Sequence, residues 1–399
     1  MDSLLIMDSG MIMDLGLIMV DRTAGIAPET ASAEIDLGAF ARNVERLRGH
    51  VGAASVMVVV KADGYGHGMI NCAVAARSAG AQWLGTATPT EALAVRESGD
   101  RGRLLCWLYG PDEELEPAVA ADIDLTVHTP EQLARIVAAA AAVETTARVQ
   151  LKIDTGLSRN GSPSVSWSDL CAAAAEAEQT GAVAVTGIWS HFAAADEPGH
   201  PSIAVQREAF EAALAIAEKN GLQPEVRHLA NSAAAITMAD TRYDLVRLGI
   251  ACYGVEPAPG LATAAGLELE PVMTLRAELV NVKPILAGDG VSYGHTWIAP
   301  EDTVVGLVPL GYGDGIPVHA SNRAQVQVGD RRVPIRGRVC MDQFVVDLGA
   351  GATDRIGDEV IVFSGPDRGP TANDWGQACG TIGYEIVTRI GSRVPRSYR

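Results

Sequence analysis

Short apolar runs alternate with alanine-rich segments of helical periodicity between residues 56 and 253, and this alternation constrains the fold most strongly. It predicts repeated strand–helix units with parallel strands. In TPEQLARIVAAAAAV, Thr129 is a candidate N-cap and Pro130 occupies the first helical position. Eight units in about 200–250 residues match a (β/α)8 barrel, with a doubly wound sheet as the alternative. The eight predicted strands are Val56–Val60, Leu84–Thr88, Leu104–Tyr109, Leu125–His128, Val149–Asp154, Val185–Phe192, Val226–Ala230 and Leu245–Ile250.

The rest of the chain has a different pattern. From residue 271 onward, short alternating strands are joined by glycine turns, which is typical of a mainly β domain. We therefore expect a barrel over residues 33–270 and a β domain over 271–399. Residues 1–32 are methionine-rich, interrupted by aspartates and without a basic start, so they predict neither a signal peptide nor a membrane span. We interpret them as a mobile N-terminal extension.

Charge and cysteine usage narrow the class of protein. The formal net charge of −18 argues against nucleic acid or an anionic membrane as a partner. The six cysteines are scattered and form no CxxC pair. That usage predicts reduced thiols in a cytoplasmic protein, with neither a disulfide framework nor a metal site.

Polar residues collect at the ends of the predicted strands, where barrel enzymes carry their catalytic groups. Each has an ordinary structural explanation when taken alone; a lysine after a strand, for instance, is usually a solvated turn residue. Several such residues on one rim indicate a site. The residues are Lys61, Asp154, Arg159, His191, Asn231, Ser232, Arg247, Gly249 and Ile250.

The stretch VVKADGYGHG, which contains Lys61, resembles the alanine racemases, pyridoxal 5′-phosphate (PLP) enzymes of fold type III. The resemblance extends from about Ala33 to Tyr398, and SYGHTWIAP is similar to the actinobacterial branch. The other matching stretches, in chain order, are AEIDLGAFARNV, KIDTGLSRNG, HLANSAAA, DLVRLGIACYG, GYGDG, GRVCMDQFVVDLG and GTIGYEIVTRI.

The resemblance implies how the cofactor is held. Lys61 would form a Schiff base with PLP, and Arg247 would face the pyridine nitrogen and leave it unprotonated. His191 would hold Arg247, with Asn231 nearby. The phosphate would be bound by Tyr65, Ser232, Gly249, Ile250 and Tyr384.

The resemblance also implies two acid–base groups on opposite faces of the cofactor, Lys61 for the D-enantiomer and Tyr293 for the L-enantiomer. The protein would be a homodimer with shared sites, in which Tyr293 and Met341 come from the partner subunit. Arg159 would bind the phenolic oxygen of PLP and the substrate carboxylate. Lys152 matches a position that is carbamylated in some relatives; an unmodified ammonium group is the alternative.

These implications predict an alanine racemase that supplies D-alanine for peptidoglycan. The alternatives are a PLP-dependent racemase of other small amino acids such as serine, a barrel decarboxylase, and a non-catalytic PLP carrier. The sequence SYG followed by CMDQF favours a racemase over a decarboxylase. A carrier would not need the β domain that bears Tyr293.

Overall fold

The structure, a computed structural model, describes residues 30–399. Most of the predicted extension, residues 1–29, lies outside the described residues. The first elements are β1 (Ala31–Ile35) and α1 (Leu37–Val51). α1 begins where Asp36 caps it, with the carboxylate accepting a hydrogen bond from the Ala39 amide at 2.7 Å.

The predicted barrel is confirmed. Eight strands form one sheet in the order β8-β7-β6-β5-β4-β3-β2-β9, and all its pairs are parallel. Its two ends are joined by hydrogen bonds from the Arg247 amide to the Ala230 carbonyl (3.0 Å) and from the Asp244 amide to the Arg227 carbonyl (3.1 Å), which closes the barrel. Each strand overlaps a predicted apolar run, within three residues at either end, because buried parallel strands are apolar on both faces. The strands are β2 (Ser55–Val59), β3 (Trp83–Thr86), β4 (Arg103–Cys106), β5 (Asp124–Val127), β6 (Ala147–Lys152), β7 (Val183–Trp189), β8 (Val226–His228) and β9 (Leu245–Leu248).

Helices lie between the barrel strands, as the periodicity predicts. α6 begins at Pro130, and the Thr129 hydroxyl accepts a hydrogen bond from the Gln132 amide at 3.2 Å. None of the helices within residues 30–399 has the length and apolarity that a membrane crossing requires. The helices after α1 are α2 (Lys61–Tyr65), α3 (Met69–Ser78), α4 (Pro89–Glu97), α5 (Glu116–Ala120), α6 (Pro130–Ala142), α7 (Ser164–Gln179), α8 (Ser202–Lys219), α9 (Ser232–Thr237) and α10 (Leu261–Ala264).

The C-terminal part is mainly β, with two short helices, α11 (Ala372–Cys379) and α12 (Gly383–Thr388). Its large sheet has the order β11-β14-β17-β16-β15-β18-β10-β1-β19, and β12 pairs with β13. The strands are β10 (Met273–Glu278), β11 (Asn281–Ile285), β12 (Gly290–Val291), β13 (Trp297–Ile298), β14 (Thr303–Val308), β15 (Gln325–Val328), β16 (Arg331–Arg336), β17 (Phe344–Gly349), β18 (Glu359–Phe363) and β19 (Arg396–Tyr398).

β1 differs from the expected domain boundary. The sequence assigns residues 31–32 to the extension and 33–35 to the barrel, but β1 pairs antiparallel with β10 and parallel with β19 in the C-terminal sheet. The side chains of Ala33 and Ile35 are fully buried. The chain therefore enters the second domain first and crosses to the barrel through α1.

Candidate active site

A cavity of about 740 Å³ opens at the C-terminal ends of the barrel strands, next to α12 of the second domain. It is lined by all the residues that the family resemblance assigns to the barrel side of the site, whereas Asp154, which the strand-end pattern also selects, does not line it. The residues so assigned are Lys61, Tyr65, Lys152, Arg159, His191, Asn231, Ser232, Arg247, Gly249, Ile250 and, from α12, Tyr384. Sequence and structure thus select the same rim.

Lys61 begins α2, directly after the buried strand β2. The pKa of the Lys61 amine is lowered, mainly by burial and secondly by the nearby positive charge of Arg159. The Nζ atom lies 5.7 Å from the ring centroid of Trp107. A lysine in this setting is more readily deprotonated than one in water, which suits a nucleophile or a base.

The short segment α2 that Lys61 begins is a left-handed turn and not a regular right-handed helix. Ala62, Asp63, Gly64 and Tyr65 have φ angles of 53°, 53°, 60° and 53°, all left-handed. Residues with a Cβ atom rarely adopt this conformation, and its cost is of order 1–3 kcal/mol each. The turn is closed by hydrogen bonds from the Gly64 amide to the Val60 carbonyl (2.8 Å) and from the Gly68 amide to the Asp63 carbonyl (2.9 Å). It returns the chain so that Lys61 and Tyr65 both line the cavity.

Two helix starts meet at the ends of β8 and β9, and β9 pairs with β2, the strand that precedes Lys61. α9 begins at Ser232, capped by Asn231, whose side-chain oxygen accepts from the Ala234 amide at 3.0 Å. A 3₁₀-helix begins at Ile250, and the Gly249 amide lies 2.9 Å from Oγ of Ser232. Backbone N–H groups at helix starts favour an anion such as a phosphate.

Two tyrosines complete this wall of the cavity. The rings of Tyr65 and Tyr384 lie 6.5 Å apart. Burial raises the pKa of both phenols above their ordinary value, so each keeps its hydrogen at neutral pH. A protonated phenol donates a hydrogen bond to a phosphate oxygen.

Arg247 is held inside the barrel by several acceptors. Its Nη1 lies 2.9 Å from Nδ1 of His228, and its Nη2 lies 3.1 Å from Nδ1 of His191. Nη2 also donates to the carbonyls of Ser190 (2.8 Å) and Leu229 (3.0 Å). Burial lowers the pKa of the guanidinium to about 9, which leaves it protonated at neutral pH. The same burial, with the charge of Arg247, holds the pKa of both histidines well below the usual value, so they are neutral.

Lys152 lies at the end of β6 and is only 4% exposed. Its Nζ lies 4.3 Å from the ring centroid of Trp189. The pKa of the amine is lowered to about 7, mainly by burial and secondly by the positive charges of Arg247 and Arg159. A substantial fraction of Lys152 is therefore neutral near pH 7.

Tyr293 and Met341 do not line this cavity. Both lie in the second domain, with 72% and 52% of their surface exposed. They are close in the fold, because the Ser292 hydroxyl contacts Sγ of Cys340 at 3.3 Å. The two residues thus share one exposed surface of the β domain.

Three further residues belong to this site, and the sequence pattern gave no role to any of them. Trp107 and Trp189 line the cavity, and His228 binds Arg247. Trp189 stacks on His228 with an angle of 6° between the rings. All three stand at strand ends in the runs LLCWLY, VTGIWSHF and VRHLA, so the rule that located Lys61 also points to them.

The cavity fits the chemistry of PLP. A lysine of lowered pKa suits its aldehyde, helix starts with two phenols suit its phosphate, and a buried guanidinium suits its ring nitrogen. Gly249 supports the fit: a Cβ atom there would lie 2.4 Å from Oη of Tyr65, so only glycine keeps this wall closely packed.

Comparison with known proteins identifies the family. The model described as "Alanine racemase, N-terminal domain" matches residues 35–257, and "Alanine racemase, C-terminal domain" matches residues 272–398. The alanine racemase of Streptomyces coelicolor is 55% identical over 374 residues, which cover 92% of this chain and 95% of that protein. That of Thermobifida fusca is 51% identical over 369 residues, 92% and 98% of the two chains.

A solved structure agrees. The crystal structure of alanine racemase from D-cycloserine-producing Streptomyces lavendulae superposes with a TM-score of 0.92 at 52% identity, covering 94% of this chain and 98% of that one. These relatives confirm the resemblance to the actinobacterial branch. The chain belongs to the alanine racemase family, whose members are PLP-dependent isomerases.

Proposed function

We propose that the chain interconverts L-alanine and D-alanine by a two-base mechanism that uses Lys61 and Tyr293 of the partner subunit. The observation that carries this proposal is the Lys61 amine, of lowered pKa, in one cavity with an anion-binding wall and the buried Arg247 guanidinium. This arrangement can fix a cofactor at both ends and leave an amine free to move a proton.

The cofactor-binding residues have distinct tasks. Ser232, Gly249 and Ile250, with the phenols of Tyr65 and Tyr384, would hold the phosphate. Arg247 would face the ring nitrogen with its guanidinium, held by His191 and His228. Bound PLP supplies an aldehyde that links to an amine and a ring that accepts electron density when Cα loses its proton.

Racemisation removes a proton from one face of Cα and returns one to the other face. Lys61 would serve the face of D-alanine with its amine, which burial favours in the neutral state. Arg159, which lines the cavity, would bind the substrate carboxylate and the phenolic oxygen of PLP. Lys61 and Arg159 would thus fix the position of Cα.

The second base would come from another copy of the chain, in a homodimer. Tyr293 does not reach the cavity of its own chain, and both it and Met341 are largely exposed. Ile298, Tyr312 and Val318 of the same domain also expose apolar surface. This exposed surface supports a dimer in which the partner subunit's Tyr293 faces Lys61 and the partner subunit's Met341 limits the space for the substrate side chain.

Lys152 would carry a carbamate. Its pKa of about 7 leaves neutral amine to react with carbon dioxide, forming the N–C bond and releasing one proton. The negative carbamate would lie between Arg247 and Arg159, the two charges that depress this pKa. The product would pair with Arg159 and fix it.

We place the enzyme in the cytoplasm, where its D-alanine would enter peptidoglycan. All six cysteines are free, and five are buried, which suits a reducing compartment. Loss of the protein should then make growth depend on added D-alanine.

The proposed activity is tested with purified protein. It should absorb visible light in the band of lysine-bound PLP and convert each enantiomer of alanine into the other. Lys61→Ala should lose the band and both conversions, while Lys219→Ala, which changes an exposed lysine at the end of α8, should lose neither. Turnover of serine far faster than alanine would instead identify a racemase of other small amino acids.

A further inference from the structure

A line of buried polar side chains crosses the barrel interior from its N-terminal end to Arg247. It consists of Asp124 at the start of β5, Gln150 in β6, His228 at the end of β8 and Arg247 in β9. The first three are fully buried and Arg247 is nearly so. Buried polar groups are retained at a cost unless each is paired, so a continuous line of them needs an explanation.

Each neighbour in the line is within hydrogen-bond distance of the next. Arg247 Nη1 lies 2.9 Å from His228 Nδ1, and His228 Nε2 lies 2.7 Å from Gln150 Oε1. Gln150 Nε2 lies 3.3 Å from Asp124 Oδ2. The carboxylate is itself held by Arg148, Arg103 and the hydroxyl of Thr186, at 2.6, 3.1 and 2.6 Å.

The chemistry of the groups allows only one direction for these bonds. A guanidinium has donors only, so His228 must accept at Nδ1. A neutral imidazole then carries its hydrogen on Nε2 and donates it to the Gln150 oxygen. The amide presents its NH2 to Asp124, and a carboxylate only accepts. Reversing any member would place two donors or two acceptors face to face.

From this geometry we infer that Asp124 and Gln150 are positioning residues of the racemase. Together they fix the tautomer of His228, and through it they hold Arg247 in the orientation that faces the cofactor. Neither residue lines the cavity, so both would act through His228 and Arg247. The Trp189 ring, stacked at 5.5 Å on His228, holds the imidazole plane in line with both neighbours. The inference rests on the proposed function, because it assigns Arg247 its role at the ring nitrogen.

The tautomer is read directly by nitrogen NMR of full-length holoenzyme labelled with ¹⁵N-histidine. The chain has eight histidines, and the His228 signal is assigned by its loss in His228→Asn. The wild type should carry the hydrogen on Nε2. In Gln150→Met, which keeps the volume but removes both hydrogen bonds, the signal should shift toward a mixture of tautomers. The kcat should fall about tenfold while KM for alanine stays within about twofold.

Thr186→Val is the matched control. It also removes a buried hydrogen bond to Asp124, yet Thr186 is outside the line, so both the tautomer and kcat should stay as in the wild type. A hydrogen on Nδ1 in the wild type would overturn the inference without any variant, even if Gln150→Met does not fold. A folded Gln150→Met with wild-type kcat would overturn it as well. A wild type with the Nε2 hydrogen and no racemase activity would contradict the proposed function but not the tautomer assignment.

Discussion

Gly249 lies so close to the phenol of Tyr65 that a Cβ atom on the glycine would stand 2.4 Å from Oη. This close approach leaves no room for a side chain at position 249. Gly249→Ala should move Tyr65 and its own amide away from the phosphate. We expect PLP affinity to fall by about 10–100-fold, equivalent to losing one or two hydrogen bonds to a charged group.

The affinity of Gly249→Ala is measured by titrating PLP and following its visible absorption. Gly49→Ala is the control, because it lies in α1 with nothing within 4 Å of the added Cβ. Unchanged affinity in Gly249→Ala would show that this wall does not bind the phosphate.

The second prediction concerns the carbamate on Lys152. Protein equilibrated with ¹³C-bicarbonate should show a ¹³C carbamate resonance, because the pKa of about 7 leaves about half of the amine neutral at pH 7. Lys152→Gln should lose this resonance, whereas Lys219→Gln should keep it. A wild-type protein without the resonance would leave Lys152 as an ordinary amine.

The third prediction is an acid-sensitive stability from His67, which is fully buried but does not line the cavity. Burial lowers its pKa to about 4, while its Nδ1 lies 2.9 Å from the Tyr65 carbonyl. The unfolded chain takes up this proton near pH 6.5. Above pH 6.5, His67 is neutral in both the folded and the unfolded chain, so its burial costs no stability. As the pH falls from 6.5 toward 4, the unfolded chain binds a proton that the folded chain does not, and the free energy of unfolding decreases.

In His67→Gln, whose amide can still donate to the carbonyl, the free energy of unfolding should fall less steeply with pH. The difference in slope should approach about 1.4 kcal/mol per pH unit between pH 6.5 and 4. It is measured by denaturant unfolding at fixed protein concentration. His200→Gln, at an exposed site, should retain the wild-type slope; an equal slope in His67→Gln would contradict the assignment.

The fourth prediction separates the two bases. Tyr293→Phe removes one base but keeps Lys61, so the enzyme should still exchange the Cα hydrogen of D-alanine with solvent. It should not exchange that of L-alanine, and racemisation should fall by about 10²-fold or more. The exchange is followed by NMR in D₂O. Loss of exchange from both enantiomers to the same extent would argue against separate bases.

Much of the fold could be predicted from the sequence, because each barrel strand is an apolar run bounded by helix signals. β1 could not be placed, since its partners β10 and β19 lie more than 200 residues away and leave no local signal. Lys61 and Arg247 were found because the rim of a barrel collects strand ends. Asp124 and Gln150 were not found, because the sequence does not show which side of a fully buried strand faces the barrel interior.

The most direct test of the shared two-base site mixes two inactive variants, Lys61→Ala and Tyr293→Phe, after reversible dissociation. In a dimer that shares its sites, each hybrid contains one site with both bases intact and one with neither. Random mixing makes half of the dimers hybrids, so activity should recover to about a quarter of the wild-type level. If Lys61 and Tyr293 worked within one chain, or if no dimer formed, the mixture would stay as inactive as either variant alone.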